Sequence, residues 1–181
     1  MNHTETVAAT SVRKLFDETE IARRVAELAR EVAEAMPPDL VLVGILKGSF
    51  VFMGDLIRAL DREGIAPRVE FMRLASYGHG RESSRAVRLL GEVPEEIKGR
   101  QVLLVDDILD TGHTLAHAKA LLTRSGAKRV LTLALVDKPS RREIDLAADL
   151  VGFTVGDLFV VGYGIDYAEK YRHLPYIGTI D

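Results

Sequence analysis

The chain contains no cysteine. Disulfides, thiolate nucleophiles and cysteine-bound zinc are therefore excluded. No apolar stretch reaches membrane-spanning length, and the run that starts at Leu40 stops at Lys47. Met1 to Ser11 lack the apolar core of a secretory signal. An excess of either charge is missing too: 24 Lys+Arg against 27 Asp+Glu leave a formal charge of −3. A general nucleic-acid binder normally carries a basic excess. Repeats, linkers and low-complexity tracts are absent as well. These absences predict a cytoplasmic protein with neither membrane nor nucleic acid as partner. What remains is ample for a core: 181 residues, of which 47% are hydrophobic.

Periodicity gives the coarse layout. Asp17 with Glu20 has the spacing of a reciprocal helix cap. Ile21, Val25, Leu28, Val32 and Met36 then recur on one helical face, and Pro37-Pro38 end it. Leu40–Leu46, Gln101–Val105 and Val130–Val136 are apolar runs, expected as buried strands. Phe50–Leu60 and Thr114–Arg124 read as helices, the second closed by Gly126. Arg68–Leu74, Val87–Leu90, Leu150–Val155 and Phe159–Tyr163 read as further strands. Ser76–Arg85 reads as a loop, and the tail from Asp166 shows no period. Alternating strands and helices predict an α/β fold with a mainly parallel twisted sheet. Residues 17–181 are expected to form a single domain, with a small subdomain built from the chain ends. Residues 1–16 are expected to be a flexible extension without an assigned role.

Chemistry concentrates in Val102–Thr114. Four apolar residues lead into Asp106 and Asp107; Asp110 follows, then Thr111, Gly112, His113 and Thr114 at a helix start. In open α/β sheets, ligands bind beyond the carboxyl ends of such strands. Backbone amides and hydroxyls at a helix start attract an anion. Adjacent carboxylates repel each other unless something positive or hydroxyl-rich lies between them. Strand alternation points Asp106 and Asp107 to opposite sides, so a sugar diol with a Mg²⁺ shell suits them better than one shared cation. Together these features point to a phosphorylated sugar. The plain alternative for Asp110 is a helix cap worth about 1 kcal/mol.

Lys47-Gly48-Ser49 is a second turn between a buried strand and a helix. Its residue order is not that of a Walker A loop, yet its amides offer another anion site. Gly162-Tyr163-Gly164 is only a fragment of a dinucleotide fingerprint, because Tyr167 stands where the third glycine belongs. His113 and His117 lie one turn apart without an evident third ligand, which fits a solvated helix face better than a metal site. Arg141-Arg142 reads as a solvated loop.

Val105-Asp106-Asp107-Ile108-Leu109-Asp110-Thr111-Gly112 with Thr114 resembles the phosphoribosyl-diphosphate motif of the type I phosphoribosyltransferases. Gly44–Ser49, Ser76-Tyr77, Val136-Asp137-Lys138, Phe159–Tyr167 and Tyr171–Pro175 narrow the resemblance to the hypoxanthine-guanine branch. The resemblance implies transfer of a phosphoribosyl group from its diphosphate to N9 of a 6-oxopurine, releasing pyrophosphate. It implies that Asp106 and Asp107 hold the ribose hydroxyls, and that Asp110 acts as general acid/base near N7. Thr111, Gly112, His113 and Thr114 would cradle the 5′-phosphate. Lys47, Gly48 and Arg172 would bind pyrophosphate. Ile108, Lys138, Phe159, Val160 and Asp166 would surround the purine, with Lys138 donating to O6. The implied cofactor is Mg²⁺ on Asp106, Asp107 and Asp166. Ser76 and Tyr77 would head a mobile lid, and the Leu46–Lys47 peptide bond would be cis. A homodimer or homotetramer is implied. Two rivals fit less well. An RNA-binding regulator on the same fold should show a basic face. A phosphoacceptor receiver domain should carry its acidic pair early in the chain.

Overall fold

The computed structural model describes residues 11–77 and 86–180. Twelve regular elements follow one another: β1 (Val12–Phe16), α1 (Glu18–Ala35), β2 (Val41–Leu46), α2 (Phe50–Arg62), β3 (Arg68–Tyr77) and β4 (Ala86–Leu90) form the first half. The second half holds β5 (Gln101–Leu109), α3 (His113–Arg124), β6 (Arg129–Asp137), β7 (Leu150–Thr154), β8 (Val160–Val161) and β9 (Ile177–Ile180). A six-stranded sheet runs β4-β3-β2-β5-β6-β7. Its strands are parallel except for β4, which is antiparallel to β3.

Alternation along the central strands fills both faces of this sheet. Leu42, Leu103, Val105 and Leu133 pack with Ile21, Val25, Leu28 and Leu56 from α1 and α2. Val41, Val43, Val102 and Leu104 pack on the other face with Leu115 and Leu122 of α3. Double burial explains why these strands read as unbroken apolar runs. α1 is started by the expected reciprocal cap: Glu20 N donates to Asp17 Oδ1 and Asp17 N to Glu20 Oε2, each at 2.8 Å. Arg24 ties the helix to β7 by donating to the carbonyls of Gly152 and Val151 at 2.9 and 2.7 Å. No described helix is long and apolar enough to cross a membrane.

Several boundaries differ from the sequence expectation. Residues 12–16, expected within a flexible extension, form β1, which pairs antiparallel with β9. β8 pairs with the other side of β9, so a three-stranded sheet joins the two ends of the chain. The aperiodic tail therefore holds a strand. Phe159–Tyr163 shrinks to the two residues of β8, because Gly162, Tyr163 and Gly164 all turn with positive φ (96°, 50° and 97°). β5 continues past Val105 to Leu109, since Asp106, Ile108 and Leu109 still have partners on β6. β3 reaches Tyr77, so Ser76 and Tyr77 have strand backbone opposite Val87 and Ala86. The rest of the expected loop, 78–85, lies outside the described residues.

Candidate active site

The carboxyl ends of β2 and β5 open into a cavity of about 460 Å³, within the usual range for a small-molecule site. Lys47, Gly48, Asp106, Asp107, Asp110 and the Thr111–Thr114 turn line it, with Asp166 and Arg172 on the far side. Ile108 lines it too. A larger groove of about 700 Å³ lies between α1, α2 and residues 172–175. It is mainly apolar and shares only Arg172 with the acidic cavity, so the chemistry belongs to the smaller one.

The anion turn is built as an open helix start. α3 begins at His113, and its cap residue is Gly112 at φ 97°, with no side chain closing the first-turn amides. Those N–H groups and the helix dipole are available to an anion. A Cβ on Gly112 would lie 2.9 Å from Ile144 Cγ1, so the position excludes larger residues on space as well as on φ. Asp110 does not cap the helix. Its Oδ1 lies 3.4 Å from Arg141 Nε instead. His113 Nε2 meets Glu143 Oε2 at 3.0 Å. Arg142 overturns the expectation of a solvated loop. Its Nη1 donates to the carbonyls of Leu109 (3.0 Å) and Asp110 (2.6 Å), and its Nη2 pairs with Asp137. That guanidinium clamps the end of β5 where the anion turn begins.

The acid pair departs from simple alternation. Asp106 folds its carboxyl back along the strand, where Oδ1 accepts the Asp107 N–H at 3.0 Å; short acidic side chains often bond locally in this way. The two carboxyls lie close enough for the charge of one to act on the other. Burial pushes Asp106 well above the usual carboxylate range, and the neighbouring Asp107 charge adds to it. Burial raises Asp107 too, against hydrogen bonds from Asp106 and the backbone and against the Arg172 charge. A hard cation or a hydroxyl pair placed there would relieve this crowding. Among the described residues no cluster of three or more His, Asp or Glu forms a complete metal site. A metal would need further oxygens from a ligand.

Glycines let three layers stack beside this pair. A Cβ on Gly48 would sit 1.7 Å from Asp107 Oδ2, and one on Gly164 would sit 2.4 Å from the Gly48 carbonyl oxygen. The Leu46–Lys47 peptide is cis, as the resemblance implied. Tyr163 lies between the glycines of its turn, buried, with its hydroxyl donating to Asp55 of α2. Burial and that carboxylate push the phenol pKa up. The fragment that looked like half a dinucleotide fingerprint is thus a joint between the chain-end sheet and the Lys47-Gly48 loop.

The remaining predicted residues form the rim. Arg172 Nη1 donates to the Gly164 carbonyl and Nη2 meets Asp166 Oδ1, both at 2.8 Å. Its Nε is buried without a hydrogen-bond partner. Lys47 Nζ meets Glu169 Oε2 at 2.5 Å, and Glu169 Oε1 is 3.5 Å from Arg172. Lys47 holds the Glu169 carboxyl below its ordinary value. Sequence reasoning missed Glu169, an exposed acid in an aperiodic tail whose φ is +63°. Lys138 is buried, with Nζ 4.0 Å from Asp157 Oδ1. Phe159 is half-exposed and meets Tyr167 edge-on, with centroids 5.0 Å apart. Val160 is buried in β8. These three do not line the acidic cavity, but Asp157 and Arg141 link Lys138 to Asp110.

Comparison with known proteins fits this arrangement. Residues 11–168 match the family model described as the phosphoribosyl transferase domain. The hypoxanthine phosphoribosyltransferase of Escherichia coli (strain K12) is 44% identical over 173 residues, 94% of this chain and 96% of that protein. The hypoxanthine-guanine phosphoribosyltransferase of Bacillus subtilis (strain 168) is 42% identical over 167 residues, 92% of this chain and 91% of that protein. The crystal structure of a hypoxanthine phosphoribosyltransferase from Staphylococcus aureus superposes with a TM-score of 0.87 at 38% identity, covering 99% of this chain and 97% of that one. On its motif, its sheet order and its relatives, the chain belongs to the phosphoribosyltransferase family.

Proposed function

We propose that the protein salvages purines. It transfers the 5-phosphoribosyl group of phosphoribosyl diphosphate to N9 of hypoxanthine or guanine and releases pyrophosphate. One observation carries the reading: an uncapped helix start and a crowded acid pair share a cavity in a chain 44% identical to a hypoxanthine phosphoribosyltransferase. The reaction passes through a ribosyl-cation-like state, so the site must hold two anionic groups and one sugar ring in fixed relation.

The first-turn amides of Thr111–Thr114 take the 5′-phosphate. The ribose hydroxyls lie against Asp106 and Asp107. The Lys47-Gly48 amides and Arg172 receive pyrophosphate, which displaces Glu169 from both cations. Asp110 exchanges the proton at N7 of the base, a role typically worth about 10²–10⁴-fold. Phe159 stacks on the ring, Ile108 packs opposite, and the Val160 main chain reads the pyrimidine edge. Lys138 donates to O6, and its partner Asp157 at 4.0 Å is too distant to consume those donors. Ser76 and Tyr77 head the segment that shuts water out. Asp106, Asp107 and Asp166 would hold Mg²⁺ together with substrate oxygens, and the ion would neutralise pyrophosphate charge. Residues 12–180 act as one domain, wider at its start than the expected 17–181, because β1 completes the chain-end sheet. The apolar groove beside half-exposed Phe50 supports a homodimer or homotetramer.

Pyrophosphate release with hypoxanthine, guanine, xanthine and uracil tests the function. Release with a 6-oxopurine and not with uracil is expected. No release with any purine would overturn the reading.

A further inference from the structure

Four charged groups alternate in sign in a row that leads away from the acidic cavity, of which Asp110 lines the cavity itself. Asp110 Oδ1 lies 3.4 Å from Arg141 Nε. The same nitrogen lies 3.8 Å from Asp157 Oδ1, and that oxygen lies 4.0 Å from Lys138 Nζ. The row starts at the group placed near N7 and ends at the group placed on O6. On a 6-oxopurine, N7 and O6 are adjacent acceptors on one edge. Arg141 stands between the two side chains that address that edge.

The lengths of these contacts matter. A strong N–H···O bond spans about 2.7–3.2 Å, and none of the three contacts closes to that range. The ion pairs locate the charged heads but leave donors unspent. A guanidinium has five N–H donors and no acceptor. The two cations also differ in freedom: side-chain exposure is 7% for Lys138 and 46% for Arg141. Lys138 is fixed by its surroundings, whereas Arg141 can swing a donor toward an incoming base without leaving its carboxylates.

We infer that Arg141 determines specificity as a second cation on the N7/O6 edge of the base, anchored between Asp110 and Asp157. The inference rests on the placement of the base proposed above. A 6-aminopurine presents an amino donor where O6 would be, and a guanidinium cannot accept from it. Hypoxanthine and guanine present the same edge, so Arg141 serves both equally and reads nothing at the 2-position.

Steady-state kinetics of the wild type, Arg141→Ala, Arg141→Lys and Lys138→Ala test this. Arg141→Ala should raise KM for hypoxanthine and for guanine by about fivefold each, the low end for a partly exposed contact. KM for phosphoribosyl diphosphate should stay within about twofold, and inhibition by adenine should not weaken. Arg141→Lys, which keeps the charge, should recover part of the loss. Unchanged base KM in Arg141→Ala, an equal rise in KM for the sugar diphosphate, or unequal effects on the two bases would overturn the inference. Lys138→Ala separates the two levels. If it raises base KM while Arg141→Ala does not, the inference alone fails. If neither variant moves base KM, the base lies elsewhere and the placement fails with it.

Discussion

Replacing Gly48 with alanine would put a methyl carbon 1.7 Å from Asp107 Oδ2 and 2.2 Å from its Cγ. An ordinary carbon–carbon contact is about 3.5 Å, so the carboxyl must retreat by roughly 1.3 Å. Asp107 is not free to do so without cost, because its carboxyl is buried beside Asp106 and feels the Arg172 charge. Overpacking of this kind costs about 1–3 kcal/mol. For a chain of this size that lowers Tm by roughly 2–12 °C. The functional loss should be larger in proportion, since a displacement near 1 Å can cost about 10²-fold. We expect kcat/KM for phosphoribosyl diphosphate to fall by about that factor. Gly54→Ala is the matched control: the position lies in α2 with nothing within 4 Å of an added Cβ. There alanine should stabilise by about 0.5–1 kcal/mol and leave turnover unchanged. A Gly48→Ala enzyme with wild-type kcat/KM would refute the stacked-layer account of the Lys47-Gly48 loop.

Three further outcomes are expected. Asp110→Asn should slow turnover at least about tenfold while sugar-diphosphate binding, measured by calorimetry, stays within about twofold. Arg142→Ala removes donors from two carbonyls and leaves half-buried Asp137 without its guanidinium; stability by denaturant titration should drop about 2–4 kcal/mol, and a loss below about 0.5 kcal/mol would contradict the clamp. Asp106→Asn should abolish most activity yet raise Tm of the ligand-free protein at neutral pH. The sign follows from linkage: with a folded pKa above the ordinary value, the cost sets in as pH rises through the ordinary carboxylate range, is complete above the folded value, and fades as pH falls from the folded value back to the ordinary one. A lowered Tm would show that the buried charge is compensated.

Local signals were legible and distant ones were not. The Asp17–Glu20 cap, the doubly buried strands and the Thr111–Thr114 turn each depend on neighbours within a few positions, so their residues announce them. The acid pair was found, but its geometry was not, because pleat alternation says nothing of a side chain folding back onto the next amide. β1 and β9 escaped because Val12–Phe16 and Ile177–Ile180 are short and pair with each other across nearly the whole chain. Arg142 read as solvent-facing because its acceptors, Leu109 and Asp110, lie more than thirty positions away. Glu169 gave no signal at all: it works through two cations, Lys47 and Arg172, from separate segments.

The pairing of the first strand with the last has a consequence for biosynthesis. β9 (Ile177–Ile180) is made long after β1 and also after β8, so both strands lack their partner until that segment has been synthesised. The main sheet can assemble earlier, since its members are all translated by Thr154. The shelf bearing Phe159 and Val160 is fastened last. A chain stopped before Ile177 should yield a compact product that keeps the acidic cavity of the main sheet and leaves Phe159 and Val160 unanchored.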